Sequence, residues 1–240
     1  MIAFLTPIVV VLAFIFLFPV AIIASLINDS RNRVHRVGGL WARTIIRTSG
    51  IKIDVEGRDN IPMGKPVVFA CNHASQFDIL IMYEALPVQF RFVVKKELFK
   101  IPFLGLVMRL AGYIPIDRSG GKAALRSLQD AARRLKKGES IIIFPEGTRS
   151  PNGRLRPFKM GGILIAVRAG CPIVPVAISG SHNVLPKGSL RIRPGRIKVT
   201  IGPPVQTVGT KGPVPKDIVT KEVWESISSM LEEENRPDLN

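Results

Sequence analysis

The chain has 240 residues, enough for one large domain or for one domain with an appendage. Lys and Arg outnumber Asp and Glu by 34 to 18, giving a formal charge of +16 that predicts an anionic partner such as nucleic acid, acidic lipid or a phosphorylated substrate. Cys71 and Cys171 stand far apart in apolar runs, which excludes a disulfide framework and a zinc-binding spacing.

The chain begins with a long apolar segment. Residues 2–27 contain no charged side chain and would rise about 39 Å as a helix, more than the ~30 Å core of a bilayer requires. Pro7 and Pro19 interrupt it, so a helical hairpin that dips into one leaflet and a single tilted span are both possible. By the positive-inside rule, either arrangement leaves the rest of the chain on the cytoplasmic face, which is the inner membrane in a bacterium.

Residues 31–50 mix arginines with apolar side chains at helical spacing. Five arginines alternate with residues such as Val34, Trp41 and Ile45, a pattern typical of an amphipathic helix lying on a lipid surface. We therefore expect a membrane-binding helical unit over residues 1–48 and a second domain over residues 49–240.

After Gly50 the chain alternates short β-rich runs with helical stretches. The predicted strands cover residues 51–55, 66–71, 90–94, 113–116, 140–144, 173–178 and 197–202. Helices are predicted over residues 122–138, 158–170 and 215–235, with a linker-like stretch at 205–216. Because the strands are continuously apolar, we expect an α/β fold with a mixed, largely buried sheet flanked by helices.

The stretch CNHASQFD places two ionisable groups at the end of an apolar strand. His73 and Asp78 would not share one face of a straight helix, but they can meet if the chain bends between them, with Asn72 or Ser75 capping the following helix. Asp78 would then orient the imidazole as a general base. The alternative is structural: a histidine in a turn beside an aspartate that favours a helix N-terminus.

Other predicted strands also end in charged residues. Residues 144–150, FPEGTRS, combine an acid, a glycine, a hydroxyl and an arginine; Lys95 and Lys96 follow another strand, and Asp117 and Arg118 a third. Glycine permits close backbone approach to an anion, and arginine can hold phosphate with two hydrogen bonds. Because ligands bind at strand ends in open α/β sheets, we expect these groups to form one site.

The blocks NHASQFD, GYIPIDR, FPEGTRS and VPVAISG resemble in order and spacing the motifs of the glycerolipid acyltransferases. The resemblance covers residues from about 66 to 180 and, more loosely, the N-terminal helices. The resemblance is strongest to bacterial 1-acyl-sn-glycerol-3-phosphate acyltransferases, which form phosphatidic acid in phospholipid biosynthesis. It implies a fold like that of glycerol-3-phosphate acyltransferase and O-acyl transfer from an acyl carrier protein or coenzyme A thioester. These thioesters would be co-substrates, and the resemblance implies no cofactor.

The resemblance also implies residue roles. His73 corresponds to the catalytic base and Asp78 to its orienting partner. The residues that match the acceptor-binding blocks, with Lys96 the weakest match, are Lys96, Arg118, Glu146, Gly147, Thr148 and Arg149. His35 and His182 have no companion ligands at metal spacing, so we expect no metal and a structural or surface role for both.

The sequence leaves several alternatives open. Cys71 stands two residues before His73 and could form an acyl-enzyme, although burial in a strand would make its thiol inert. Backbone amides near the HxxxxD turn are candidate oxyanion donors. The acceptor could be glycerol 3-phosphate, dihydroxyacetone phosphate or another lysolipid. A membrane-tethered nucleic-acid-binding protein is disfavoured by 7% aromatic residues, and retained His73, Asp78 and Glu146 disfavour a silent lipid-binding scaffold.

Overall fold

The computed structural model describes residues 2–210 and 212–238, with side chains from Leu5 onwards. In this part of the chain the helices are α1 (Ile2–Ser25), α2 (Ser30–Thr48), α3 (Phe77–Ala85), α4 (Leu104–Leu110), α5 (Gly121–Lys136), α6 (Met160–Ala169), α7 (Ser181–Val184) and α8 (Lys216–Met230). The strands are β1 (Ile51–Glu56), β2 (Val68–Cys71), β3 (Phe90–Lys95), β4 (Ile114–Ile116), β5 (Ser140–Ile143), β6 (Ile173–Ser179), β7 (Gly195–Ile201), β8 (Val208–Gly209) and β9 (Gly212–Pro213).

Strands β1 to β7 form one sheet in the order β1-β7-β6-β2-β5-β3-β4. Strands β6, β2, β5, β3 and β4 run parallel to one another, whereas β7 pairs antiparallel with β6 and parallel with β1. The expected mixed sheet is confirmed, and each predicted strand lies within two residues of an observed one. The carboxyl ends of the five parallel strands, which carry the charged residues noted above, therefore meet at one edge.

Both faces of the sheet are covered, because successive residues of β2 point to opposite sides. Phe69 and Cys71 face a core built with α2 and α3. Val68 and Ala70 face a second core closed by helices α5, α6 and α8. The three predicted helices are present, and all seven residues of β6 are buried. The continuous apolar strands of the sequence thus predicted burial on both faces correctly.

Helices α1 and α2 form a hairpin at the N-terminus. The indole of Trp41 donates to the carbonyl of Val10 at 3.3 Å, and its ring meets Phe14 edge-on at 6.5 Å. Helix α1 continues through Pro7 and Pro19. The segment Leu5–Ser25 is long and apolar enough to cross a membrane, and only 6% of it is buried within the protein. This helix is weak evidence of membrane association by itself.

The prediction that α2 lies on a lipid surface through its apolar face is wrong for most of that face. Val34, Ala42, Ile45 and Ile46 are buried against the protein, where the last three join the core between α3 and the sheet. The amphipathic pattern correctly predicted that one face of α2 is covered, but a helical period does not distinguish a face covered by lipid from one covered by protein.

The linker-like stretch and the C-terminal segment are both packed against the rest of the domain. In the linker-like stretch, Val205 pairs with Ile173 through both backbone groups, and the Thr207 hydroxyl donates to the carbonyl of Cys171 at 3.0 Å. Near the C-terminus, Asn235 is buried and hydrogen-bonded. Neither segment has a long apolar period, so pattern alone could not predict its packing.

Candidate active site

The loop after β2 bends sharply before α3 begins. The Asn72 side chain bridges to β6, donating to the carbonyl of Ile178 at 2.9 Å and accepting from its amide at 2.7 Å. The Ser75 hydroxyl accepts from the amide of Phe77 at 3.2 Å, so of the two predicted caps only Ser75 contacts the start of the helix. These bonds fix the path of residues 72–77, which leave the strand and turn back towards it.

That bend brings His73 and Asp78 together. The imidazole Nδ1 lies 2.8 Å from Asp78 Oδ2, and Asp78 is fully buried while the His73 side chain keeps 14% exposure. When the Asp78 carboxylate is ionised and the imidazole is neutral, Nδ1 donates its hydrogen and Nε2 keeps its lone pair. The contact that the sequence allowed is therefore present; the catalytic roles of both residues stay predictions.

Phe144 and Ser150, which sequence reasoning gave no role, also position His73. The Phe144 ring stacks on the imidazole at 4.1 Å with an interplanar angle of 21°, and the Ser150 amide donates to the His73 carbonyl at 2.7 Å. Both residues lie in the FPEGTRS block after β5, the neighbour of β2 in the sheet. Only the proximity of the two blocks in space, which depends on strand order, could have indicated these contacts.

Glu146 lies beneath the histidine rather than facing solvent. Its Oε1 accepts from the His73 amide at 2.7 Å, its Oε2 has no partner, and the residue is 3% exposed. Burial raises the pKa of Glu146 to about 8, helped by the nearby charge of Asp78 and opposed by the His73 amide and by Arg156. Glu146 therefore holds the backbone of His73, whereas its predicted contact with the acceptor stays a prediction.

The amides of the HxxxxD turn are already engaged. The His73 amide donates to Glu146, those of Ala74 and Ser75 donate to Asp78 Oδ2 at 2.8 Å each, and that of Phe77 donates to Ser75. An oxyanion donor must be free to meet the substrate oxygen. The suggestion that amides of this turn stabilise an oxyanion is thus wrong for residues 73, 74, 75 and 77.

Two of the predicted cationic groups are engaged within the site. Lys96 Nζ lies 2.5 Å from the Asp117 carboxylate, an ion pair that lowers the pKa of Asp117. The Arg118 guanidinium donates to the carbonyl of Gly147, tying the loop after β4 to the loop after β5. The structure therefore brings Lys96 and Arg118 to the same edge of the sheet, where the charge of Lys96 is partly neutralised by Asp117.

The remaining predicted residues lie in the loop after β5. Gly147 has a φ of 76°, and a Cβ there would lie 3.1 Å from the Lys159 side chain, so the position suits glycine. Thr148 is exposed and Arg149 half-buried. The Arg149 carbonyl accepts from Lys187 Nζ at 3.2 Å. Lys159 and Lys187 thus add positive charge that sequence reasoning missed, since neither belongs to the quoted blocks.

Cys71 and His35 are both buried. The Cys71 thiol is fully buried, contacts Met82 Sδ at 3.7 Å, and has a pKa raised by burial. His35 is buried beside Tyr83 and Phe90, and its pKa falls to about 3 because of that burial. Among residues 2–210 and 212–238, no group of three His, Cys, Asp or Glu side chains is placed to hold a metal ion.

Comparisons with known proteins agree with this arrangement. Residues 52–179, more than half of the chain and all but the last residue of the blocks quoted above, match the family described as "Acyltransferase". A 1-acyl-sn-glycerol-3-phosphate acyltransferase of Limnanthes alba is 40% identical over 174 residues, which are 72% of this chain and 60% of that protein. The alpha form from Bos taurus is 38% identical over 68% of this chain and 57% of its own length. This chain thus spans less than two thirds of the length of these relatives.

A solved structure covers almost all of the chain. The 1-acyl-sn-glycerophosphate (LPA) acyltransferase PlsC from Thermotoga maritima aligns over 95% of both chains with a TM-score of 0.77 and 28% identity. The similarity includes the N-terminal hairpin, because so little of either chain is left out. With the family match over residues 52–179, these observations establish that the chain belongs to the acyltransferase family.

Proposed function

We propose that the protein transfers a fatty acyl group from a thioester to the free hydroxyl of 1-acyl-sn-glycerol 3-phosphate, forming phosphatidic acid. The observation that carries this proposal is the 2.8 Å contact between His73 Nδ1 and Asp78, at a sheet edge that also carries Lys and Arg side chains. The relatives from Limnanthes alba and Bos taurus, both 1-acyl-sn-glycerol-3-phosphate acyltransferases by name, support the choice of acceptor.

The proposed chemistry uses the free nitrogen of the imidazole. His73 Nε2 removes the hydroxyl proton while the oxygen attacks the thioester carbonyl, and Asp78 stabilises the imidazolium that forms. As the tetrahedral intermediate collapses, the C–S bond breaks and the imidazolium proton neutralises the departing thiolate. Imidazole, with an ordinary pKa near 6.5, suits both transfers near neutrality. The step needs only the two substrates.

The basic groups position the acceptor. We assign the acceptor phosphate to Arg118 and Arg149, with Lys96 adding charge and with Gly147 and Thr148 offering a close backbone approach and a hydroxyl. Holding the phosphate places the hydroxyl near His73 and lowers the entropic barrier to attack. Glu146 supports the same step indirectly, because its carboxyl fixes the His73 backbone.

We further propose that α1 attaches the enzyme to a membrane with an anionic surface, the catalytic residues lying on the cytoplasmic side. A lysophospholipid is held in a leaflet, the exposed face of α1 is apolar, and the chain carries a formal charge of +16. Attraction to anionic lipid should weaken in about 0.5 M salt, where the screening length falls to a few ångströms. Vesicle binding that is unchanged by about 0.5 M salt and also unchanged by the double substitution Ile15→Asp and Phe16→Asp in α1 would contradict this attachment.

The decisive experiment gives the purified full chain an acyl carrier protein or coenzyme A thioester and a panel of acceptors. We expect thiol release with 1-acyl-sn-glycerol 3-phosphate, little release with the same lipid lacking its phosphate, and none with His73→Ala. If this protein instead prefers glycerol 3-phosphate, dihydroxyacetone phosphate or another lysolipid, that acceptor will give the fastest thiol release. Absence of thiol release with every phosphorylated acceptor would overturn the proposed function.

A further inference from the structure

The segment between β3 and α4 exposes a cluster of large apolar side chains, here called the apolar tip. The exposed fractions are 62% for Phe103, 45% for Ile101 and 41% for Leu98. Leu104 and Leu106 beside them are also exposed. Single apolar residues on a surface need no explanation, but a contiguous cluster marks a site of interaction with another apolar surface.

The backbone at the apolar tip is strained. Phe103 has φ 58° and ψ −56°, and the Leu104 amide lies 2.6 Å from the carbonyl of Pro102. This is the positive-φ form of the γ-turn, which is rare and unfavourable for a bulky side chain. This strained backbone directs the aromatic ring of Phe103 outward into solvent. Exposure of the ring to water does not compensate for the strain, so we expect the ring to contact another surface.

The apolar tip is also held firmly from behind. The Gly105 amide donates to the carbonyl of Ile101 at 2.8 Å, and the Arg109 guanidinium donates to the carbonyl of Phe99 at 2.8 Å. A Cβ on Gly105 would lie 2.2 Å from that same carbonyl oxygen, so only glycine allows this approach. The apolar tip is therefore a fixed surface rather than a loose loop.

This surface continues the apolar face of α1. The rings of Phe18 and Phe103 meet edge-on at 5.4 Å, so the tip contacts α1 directly. About one helical turn from Phe18, Ile15 is 56% exposed. Lipid that covers this face of α1 would therefore extend onto Phe103, because the contact between Phe18 and Phe103 is apolar.

Positive charge surrounds the apolar tip. Lys95 and Lys100 in the same segment and Arg109 on α4 are exposed; Glu97 lies 3.9 Å from Lys95, and Lys96 is paired with Asp117. Apolar side chains bordered by Lys and Arg are the pattern of a surface that inserts into an anionic leaflet. The tip also follows β3, whose carboxyl end carries Lys96 at the edge of the candidate active site.

We propose that the apolar tip inserts into the anionic leaflet that holds α1, as a second and separate contact with lipid. It would seat the Lys96 side of the active-site edge at the level of the lipid head groups, so that a lysolipid reaches His73 without leaving the leaflet. The proposal rests on the proposed membrane attachment through α1. A soluble acidic carrier protein or a second copy of the chain is a poorer occupant, because Phe103 packs against the lipid-facing helix.

The test places an environment-sensitive NBD label at single new cysteines in the full chain. Phe103→Cys reports the apolar tip, Phe16→Cys reports α1, and Met63→Cys, exposed near the amino end of β2, is the matched control. The native thiols at Cys71 and Cys171 are buried, so the labelled parent chain serves as the blank. With vesicles of phosphatidylglycerol and phosphatidylcholine, we expect a blue shift at positions 103 and 16 and none at 63.

The outcomes separate this proposal from the one on which it rests. A blue shift at position 16 without one at 103 overturns insertion of the apolar tip and leaves attachment through α1 intact; no shift at either position contradicts both. A shift at position 103 without lipid, on adding acyl carrier protein or raising the protein concentration, would assign the tip to that protein or to a second copy. Ile101→Ser with Phe103→Ser should weaken vesicle partitioning at least about tenfold, whereas Met63→Ser should not.

Discussion

A single carboxylate oxygen of Asp78 both orients His73 and closes the turn that carries it. Oδ2 lies 2.8 Å from His73 Nδ1 and 2.8 Å from the amides of Ala74 and Ser75. The carboxylate is fully buried, so these donors replace part of the water that it has lost, while Oδ1 has no hydrogen-bond partner. Catalytic geometry and local folding therefore depend on the same atom, and substitutions at His73 and at Asp78 should have different effects on stability.

His73→Ala should abolish acyl transfer and lower stability less than Asp78→Ala does, because the imidazole makes one hydrogen bond and one stacking contact while Asp78 Oδ2 keeps its two amide donors. Asp78→Ala should also abolish transfer and in addition lower the free energy of unfolding by about 2–5 kcal/mol, since two buried amides lose their acceptor. Asp78→Asn should retain more stability while kcat falls by roughly 10²–10⁴. Thiol-release kinetics and thermal melts of all three variants check this, and an Asp78→Ala melt equal to that of His73→Ala would contradict it.

Glu146 should make stability depend on pH. The folded chain keeps the Glu146 proton up to about pH 8, whereas an unfolded chain releases it near its ordinary pKa of 4.5. Between these values the folded state binds more protons, so the free energy of unfolding falls as pH rises. Below pH 4.5 the contribution of Glu146 to stability is complete and does not change with pH, and above about pH 8 that contribution is lost. Glu146→Gln should remove this part of the decline, on the order of a few kcal/mol, in denaturant titrations from about pH 5 to 9.

The same substitution distinguishes two roles for Glu146. A glutamine oxygen can still accept from the His73 amide, so Glu146→Gln should keep most of the activity and Glu146→Ala should lose most of it. If Glu146→Gln instead raises KM for the phosphorylated acceptor while stability is unchanged, the carboxyl contacts the substrate, as the motif resemblance implied.

Cys71→Ala should leave most of the acyl-transfer activity. The thiol is fully buried against Met82, and burial raises its pKa, so little thiolate forms near neutrality. Removing one sulfur from the core should lower the free energy of unfolding by about 1 kcal/mol. Steady-state kinetics with both substrates varied check this, and ping-pong behaviour that disappears in Cys71→Ala would establish an acyl-enzyme at this residue.

Sequence alone predicted the sheet well because each strand carries its own signal. The runs that became β2, β5 and β6 are apolar and bounded by polar residues, so their burial on both faces followed from composition. The approach of His73 to Asp78 followed less directly, because it required a bend that the spacing only permitted. The resemblance of the motif blocks, not the spacing, favoured catalysis over turn chemistry.

What the sequence did not predict depends on contacts between distant segments. The stacking of Phe144 on His73 exists because β5 lies beside β2, and strand order is not encoded in local periodicity. The burial of the apolar face of α2 against protein rather than lipid is of the same kind, because both environments select the same helical pattern.

Arg118→Lys should raise KM for the phosphorylated acceptor by about tenfold or more, with a smaller change in kcat. Lysine cannot keep the bond to the Gly147 carbonyl and also offer a planar fork to phosphate. Arg126→Lys, an exposed arginine on α5, is the matched control and should change neither constant. If the acceptor KM of Arg118→Lys matches that of the control, phosphate binding belongs to Arg149 and the neighbouring lysines.

Asn235 anchors the C-terminal segment to the loop that follows the EGTR motif. Its side chain accepts from the Gly180 amide and donates to the Gly153 carbonyl, both at 3.1 Å, and it is 4% exposed. Asn235→Ala leaves both backbone groups buried without these partners, so the free energy of unfolding should fall by about 2–4 kcal/mol.

At roughly 2–4 °C per kcal/mol for a chain of this size, Asn235→Ala should lower Tm by about 4–16 °C. Asn183→Ala is the matched control, because the Asn183 side chain is exposed and donates to exposed Glu234 at 3.2 Å, so its loss should shift Tm by about 1–2 °C or less. The Ser150 amide bonds to His73 three residues before Gly153, so loosening this loop should also lower kcat at temperatures well below the melt. An Asn235→Ala variant with the Tm and kcat of Asn183→Ala would show that the C-terminal segment lies outside the cooperative unit that holds the active site.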